Sequence, residues 1–74
     1  MTNDAAARLV DARGMRCPWP ALRLARAMRD AAEAVLIADD PNAAREVAAL
    51  AAEHGWAVED ESIQEGEGRW RVRR

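Results

Sequence analysis

Ala34-Val35-Leu36-Ile37-Ala38 is a continuous apolar run closed by Asp39-Asp40-Pro41, too short for a helix and without a polar position to turn toward water. A run of that kind reads as a strand buried on both faces, which belongs in a parallel pairing covered by crossover helices. It predicts a central strand, and the flanking chain must supply both its partners and its cover.

Upstream, Ala7–Ala12 reads as a short strand ended by a turn at Arg13-Gly14. From Pro18 to about Glu33 the pattern is helical, with Ala21, Leu24, Ala25 and Met28 on one side and Arg23, Arg26, Asp30 and Glu33 on the other. A second helix is predicted from Pro41 to His54, with Val47, Leu50 and Ala51 inward, Asp40 as N-cap and Gly55 just past the end. Trp56–Glu59 and Arg69–Arg73 alternate as strands around an acidic connection at Glu65-Gly66-Glu67-Gly68, which makes a hairpin.

The order is therefore βαβαββ, and right-handed crossovers put both helices on one face of a four-stranded mixed sheet, an α/β (α+β) two-layer sandwich. Residues 1–74 read as a single domain, with Met1–Ala5 as a frayed lead-in. The loops leaving the two parallel strands share one sheet edge, so Cys17 and Asp39/Asp40 are expected as neighbours.

Cys17 is the only cysteine and opens the tetrapeptide Cys17-Pro18-Trp19-Pro20. With Cys17 as N-cap, the prolines fall at N1 and N3, where a missing N–H costs no helical bond. The Trp19 N–H then remains to meet a thiolate, and Arg13 and Arg16 add positive charge. Helix starts and neighbouring Arg lower cysteine pKa, so the pattern points to a reactive thiol; the plain alternative is an inert cysteine beside a proline-started helix.

One cysteine excludes an internal disulfide, and no apolar run approaches membrane-spanning length. Met1-Thr2-Asn3-Asp4 leads into alanines with no apolar signal core, which suits a cytoplasmic protein. A net charge of −2 gives no global case for direct nucleic-acid binding.

Trp19 either covers the helix start or anchors a partner, while Trp56 and Trp70 read as core in a chain without Phe or Tyr. His54 would lie about 20 Å along its helix from that helix's start, which argues against a Cys-His pair and against a metal site. Asp39 and Asp40 read as capping and turn residues. Arg23, Arg26 and Arg29, with Arg45 on the second helix, form a candidate surface for a partner approaching the thiol. The terminal Arg69, Arg71, Arg73 and Arg74 could extend a basic surface, with a solvated charged face as the alternative.

The stretch Leu9-Val10-Asp11-Ala12-Arg13-Gly14-Met15-Arg16-Cys17-Pro18-Trp19-Pro20 resembles the N-terminal signature of the TusA/SirA-like sulfur-carrier proteins, whose hallmark is Cys-Pro-x-Pro. The resemblance continues through Ala38-Asp39-Asp40-Pro41, Arg45 and the basic final strand. It implies the same βαβαββ sandwich, similar to the C-terminal domain of a bacterial translation initiation factor.

It also implies that Cys17 accepts sulfane sulfur as a persulfide from a cysteine desulfurase or rhodanese-type donor and passes it to an acceptor protein. Destinations in the family include tRNA 2-thiolation, molybdenum cofactor maturation and sulfur oxidation. No cofactor is implied, because pyridoxal phosphate chemistry belongs to the desulfurase. Trp19 departs from the smaller residue common at the x position. Rival classes are a non-catalytic protein-binding or regulatory module, an RNA-binding domain of the same fold, and a thiol redox sensor.

Overall fold

The computed structural model describes residues 7–74; the expected frayed lead-in lies outside them. The elements run β1 (Arg8–Asp11), α1 (Trp19–Asp30), β2 (Glu33–Ala38), α2 (Ala43–His54), β3 (Ala57–Asp60) and β4 (Gly68–Arg73). The sheet order is β1-β2-β4-β3, with β1 parallel to β2 and the other two pairings antiparallel. This is the βαβαββ two-layer sandwich with both helices on one face.

The apolar run is central, as its composition demands. Ala34, Leu36 and Ala38 point toward the helices and join Val10, Leu24, Ala27, Met28, Val47, Trp70 and Val72 in one core. Val35 and Ile37 alternate to the other face and are buried there too, at 4% and 9% exposure. The register sets Arg71 opposite Val35 and Arg69 opposite Ile37, and long arginine stems cover apolar surface while their heads stay in water.

Those arginine heads meet a row of carboxylates. Arg71 pairs with Glu33 at 2.7 Å and Glu61 at 2.9 Å, and Arg73 with Glu59 at 2.6 Å and Glu33 at 3.7 Å. Pairs this exposed add little to stability, but they neutralise Arg71 and Arg73 of the basic strand. Arg74 turns back to the carbonyls of Met28 and Arg29, where a cation suits a helix C-terminus.

Several boundaries differ from the sequence reading. Helix α1 ends at Asp30, because Ala31 is already extended, and Glu33 opens β2 with its carboxylate on Arg71. Helix α2 starts at Ala43 with Asn42 as N-cap, which frees the Asp40 side chain for another task. Gly55 ends α2 at φ 74°, and the Trp56 N–H returns to the Ala51 carbonyl at 2.8 Å. Trp70 is core, whereas Trp56 is only half-buried and stacks on His54 with ring centroids 4.4 Å apart.

The Trp70 ring lies over the Cα of Gly68, so a methyl group there would sit inside the ring's van der Waals envelope. Gly68→Ala must move a core indole, at a cost of about 1–3 kcal/mol. A urea midpoint followed by tryptophan fluorescence should fall accordingly; an unchanged midpoint would show that the ring moves freely.

Candidate functional site

The parallel pairing brings the ends of β1 and β2 to one edge, where two consecutive carboxylates hold the loop that carries Cys17. Asp39 accepts the Gly14 N–H at 3.0 and 3.2 Å, across a turn in which Gly14 has φ 83°. Asp40, 9% exposed, accepts the Cys17 N–H at 2.5 Å and the Asn42 N–H at 3.3 Å. The expected proximity of Cys17 to this Asp pair holds. Asp40 serves turn geometry through Asn42, but its principal hold is on the cysteine backbone.

The start of α1 differs from the expected cap. Pro18 is the N-cap, Trp19 is the first helical residue and Pro20 the second, with Cys17–Pro18 a cis peptide. The Pro18 carbonyl accepts the Leu22 N–H at 3.1 Å, and the Trp19 N–H is spent on the Arg16 carbonyl at 2.8 Å. It is not left for the sulfur. The one backbone donor counted on to favour a thiolate is thus committed elsewhere, and the Cys17 N–H goes to Asp40.

The exposed thiol donates instead to Oε2 of Glu46, in the first turn of α2. This hydrogen bond raises the Cys17 pKa above its ordinary value; desolvation and the charges of Glu46 and Asp40 act in the same direction, and Arg45 opposes them. The expected depression of the thiol pKa is thereby reversed. The other Glu46 oxygen, Oε1, is buried without a hydrogen-bond partner among the described residues.

Arg13 is engaged elsewhere: its guanidinium holds Asp11 bidentately at 2.9 and 2.7 Å and reaches Glu67 at 3.7 Å. That grip pulls the Asp11 carboxyl down to about 2. Arg16 is exposed and contributes its carbonyl to the Trp19 turn. The cation that acts on the thiol is Arg45, hydrogen-bonded to Asn42 Oδ1 at 3.2 Å.

Pro20 is buried, whereas Trp19 and Leu22 are 59% and 51% exposed, an apolar pair one turn apart beside the thiol. Arg23 and Arg26 line a groove between α1 and β1 together with Arg8 and Asp30. Arg29 lies in the last turn of α1, about 15 Å along the axis from Trp19. His54 stacks on Trp56 at the opposite end of α2 from Glu46.

Glu46 is the site residue that sequence reasoning missed. An acid in the first turn of a helix is ordinary dipole complementation, so its spacing carried no separate signal. Only the crossover that lays the start of α2 beside the Cys17 loop reveals it.

A protein-family profile described as Sulfurtransferase TusA matches residues 8–74. Among solved structures, the SirA-like protein of Desulfitobacterium hafniense superposes with a TM-score of 0.75 at 22% identity, covering 88% of this chain and 93% of that one. At that identity the likeness is one of fold. No curated protein matches the sequence. With nearly the whole described chain matched and the four-stranded sandwich in common, the protein belongs to the TusA sulfurtransferase family, whose members carry sulfur in relays with partner proteins.

Proposed function

We propose that the protein is a sulfur carrier that accepts sulfane sulfur as a persulfide on Cys17 and relays it to a partner protein. The observation that carries this reading is the placement of the single cysteine: an exposed thiol on a loop stapled by Asp39 and Asp40, at the edge where the parallel strands end. Residues 1–74 act as one domain in it, and the family's cytoplasmic setting and protein donors, a cysteine desulfurase or a rhodanese-type protein, are part of the proposal. Acceptors serving tRNA thiolation, molybdenum cofactor maturation or sulfur oxidation all use the same handover.

In loading, the Cys17 thiolate attacks the outer sulfur of the donor persulfide. A new S–S bond forms on Cys17, the donor S–S bond breaks, and its electron pair stays on the donor sulfur, which takes up a proton. Handover repeats the exchange with the acceptor's thiolate as nucleophile. Pro18 and Pro20 set the loop-to-helix junction, and Trp19 with Leu22 forms the apolar anchor for the partner. Arg23, Arg26 and Arg45 attract an acidic partner surface, with Arg29 at its far end and Arg13 and Arg16 flanking the loop.

The RNA-binding alternative loses part of its support, because Arg71 and Arg73 are committed to carboxylates and Arg74 to a helix end. A redox sensor relying on an acidic thiol is likewise disfavoured by the raised Cys17 pKa.

Intact mass after incubation with a cysteine desulfurase and cysteine should show one reductant-labile sulfur on the wild type and none on Cys17→Ser. Failure across several donors and with chemical polysulfide would refute the reading. Arg26→Glu should slow loading from a protein donor about tenfold at low salt, as expected for a lost steering charge, and leave polysulfide loading unchanged. Equal enzymatic rates would remove Arg26 from the docking surface. Because the Cys17 pKa is raised, reaction with iodoacetamide should climb with pH through a midpoint above the usual cysteine value of about 8.5. A midpoint below that value would contradict the site geometry.

A further inference from the structure

We propose that Glu46 is a positioning residue that holds Cys17 as a hydrogen-bonded thiol in the free carrier, so that sulfur loads efficiently only from a donor whose docking displaces or neutralises this carboxylate. The inference rests on the sulfur-carrier reading of Cys17 and adds a condition on when that thiol reacts.

Three charged groups around the sulfur decide the matter. Glu46 Oε2 accepts the thiol proton's hydrogen bond, and this contact favours the protonated form of the donor. Asp40 places a second carboxylate beside Cys17 and takes up the Cys17 N–H. Arg45 is the one opposing cation among the groups acting on the thiol, and its guanidinium is directed to Asn42. Glu46 Oε1 is buried with no protein donor among the described residues, so the carboxylate has no internal cation to satisfy it. A partner group that draws the carboxylate off the sulfur and out of this unpartnered position releases the thiol.

The loaded state reinforces the same logic. A Cys17 persulfide in its anionic form can donate no hydrogen bond to Glu46 and faces like charge, which turns the terminal sulfur outward from α2. The carboxylate therefore favours the empty, protonated carrier over the loaded anion. In the exchange itself the proton lost from Cys17 goes to solvent, the thiolate forms the new S–S bond, and the donor sulfur takes a proton as it leaves. No oxidant or reductant beyond the donor persulfide is consumed.

Glu46→Gln keeps the shape of the side chain and removes its charge. The pH midpoint for iodoacetamide alkylation should fall by about one unit, within the range a neighbouring charge produces. At pH 7 the thiolate fraction then rises about tenfold, and the lower nucleophilicity of a more acidic thiol reduces the net gain in alkylation to about threefold. Loading from polysulfide without a protein donor should accelerate by a similar factor, while Glu53→Gln, at the other end of α2, should match the wild type.

An unchanged midpoint would overturn the proposal, and so would slower alkylation, which would make Glu46 an activating proton acceptor. Should the Gln variant fail to fold, Glu46→Asp shortens the reach, keeps the charge and must shift the midpoint in the same direction by less. Alkylation requires no sulfur donor, so its profile judges Glu46 by itself. Absence of persulfide on both proteins, with every donor, would instead overturn the sulfur-carrier reading.

Discussion

The bonds from Asp39 and Asp40 to the Gly14 and Cys17 amides are the interactions on which the rest of the site depends. They join the end of β2 to the loop after β1, so that the parallel pairing becomes a fixed edge carrying a thiol. Hydrogen bonds to a charged acceptor contribute about 1.5–3 kcal/mol, and a carboxylate as buried as Asp40 would be costly without them. A thiol held by its own backbone N–H has a defined direction, and in this protein the direction is toward α2 and Glu46.

Charge is distributed by the same topology. The final strand reads in sequence as a basic stripe, yet its register places Glu33, Glu59 and Glu61 within reach of Arg71 and Arg73. The outer face of the sheet becomes a neutralised ladder over Val35, while Arg69 opposite Ile37 keeps its charge. Positive charge without ion-pair partners among the described residues is left at Arg8, Arg16 and Arg69, on α1 at Arg23, Arg26 and Arg29, and on α2 at Arg45. Arg45 acts on the thiol and the exposed Trp19 follows it by two residues, whereas Arg23 and Arg26 line the groove between α1 and β1 that runs on to Arg8 and Asp30.

How much of this was legible before the structure depended on the range of the interaction involved. The buried run Ala34–Ala38, the helical periodicity of α1 and the glycine that ends α2 are local signals, and each led to the observed element. The N-cap of α1 was misplaced by one residue because Pro-Trp-Pro is compatible with either register near a helix start. Glu33 looked helical because its spacing continued the polar side of α1, whereas its partner Arg71 lies 38 residues away. The direction of the Cys17 pKa was misjudged for the same reason: the nearby arginines were visible in sequence, and the carboxylate 29 residues distant was not.

A raised thiol pKa bears on both halves of a sulfur relay. A more basic thiol is the stronger nucleophile once deprotonated, but it is a smaller fraction thiolate and a slower leaving group when an acceptor attacks the outer sulfur. On the proposed function, the free carrier is thus poorly disposed both to pick up sulfur and to release it. A partner that neutralises Glu46 lowers the Cys17 pKa, which raises the thiolate fraction during loading and improves the leaving group during handover. A single electrostatic change at docking therefore serves donor and acceptor alike. The requirement it places on both is positive charge or displacement at the start of α2, alongside whatever acidic surface meets the arginines of α1.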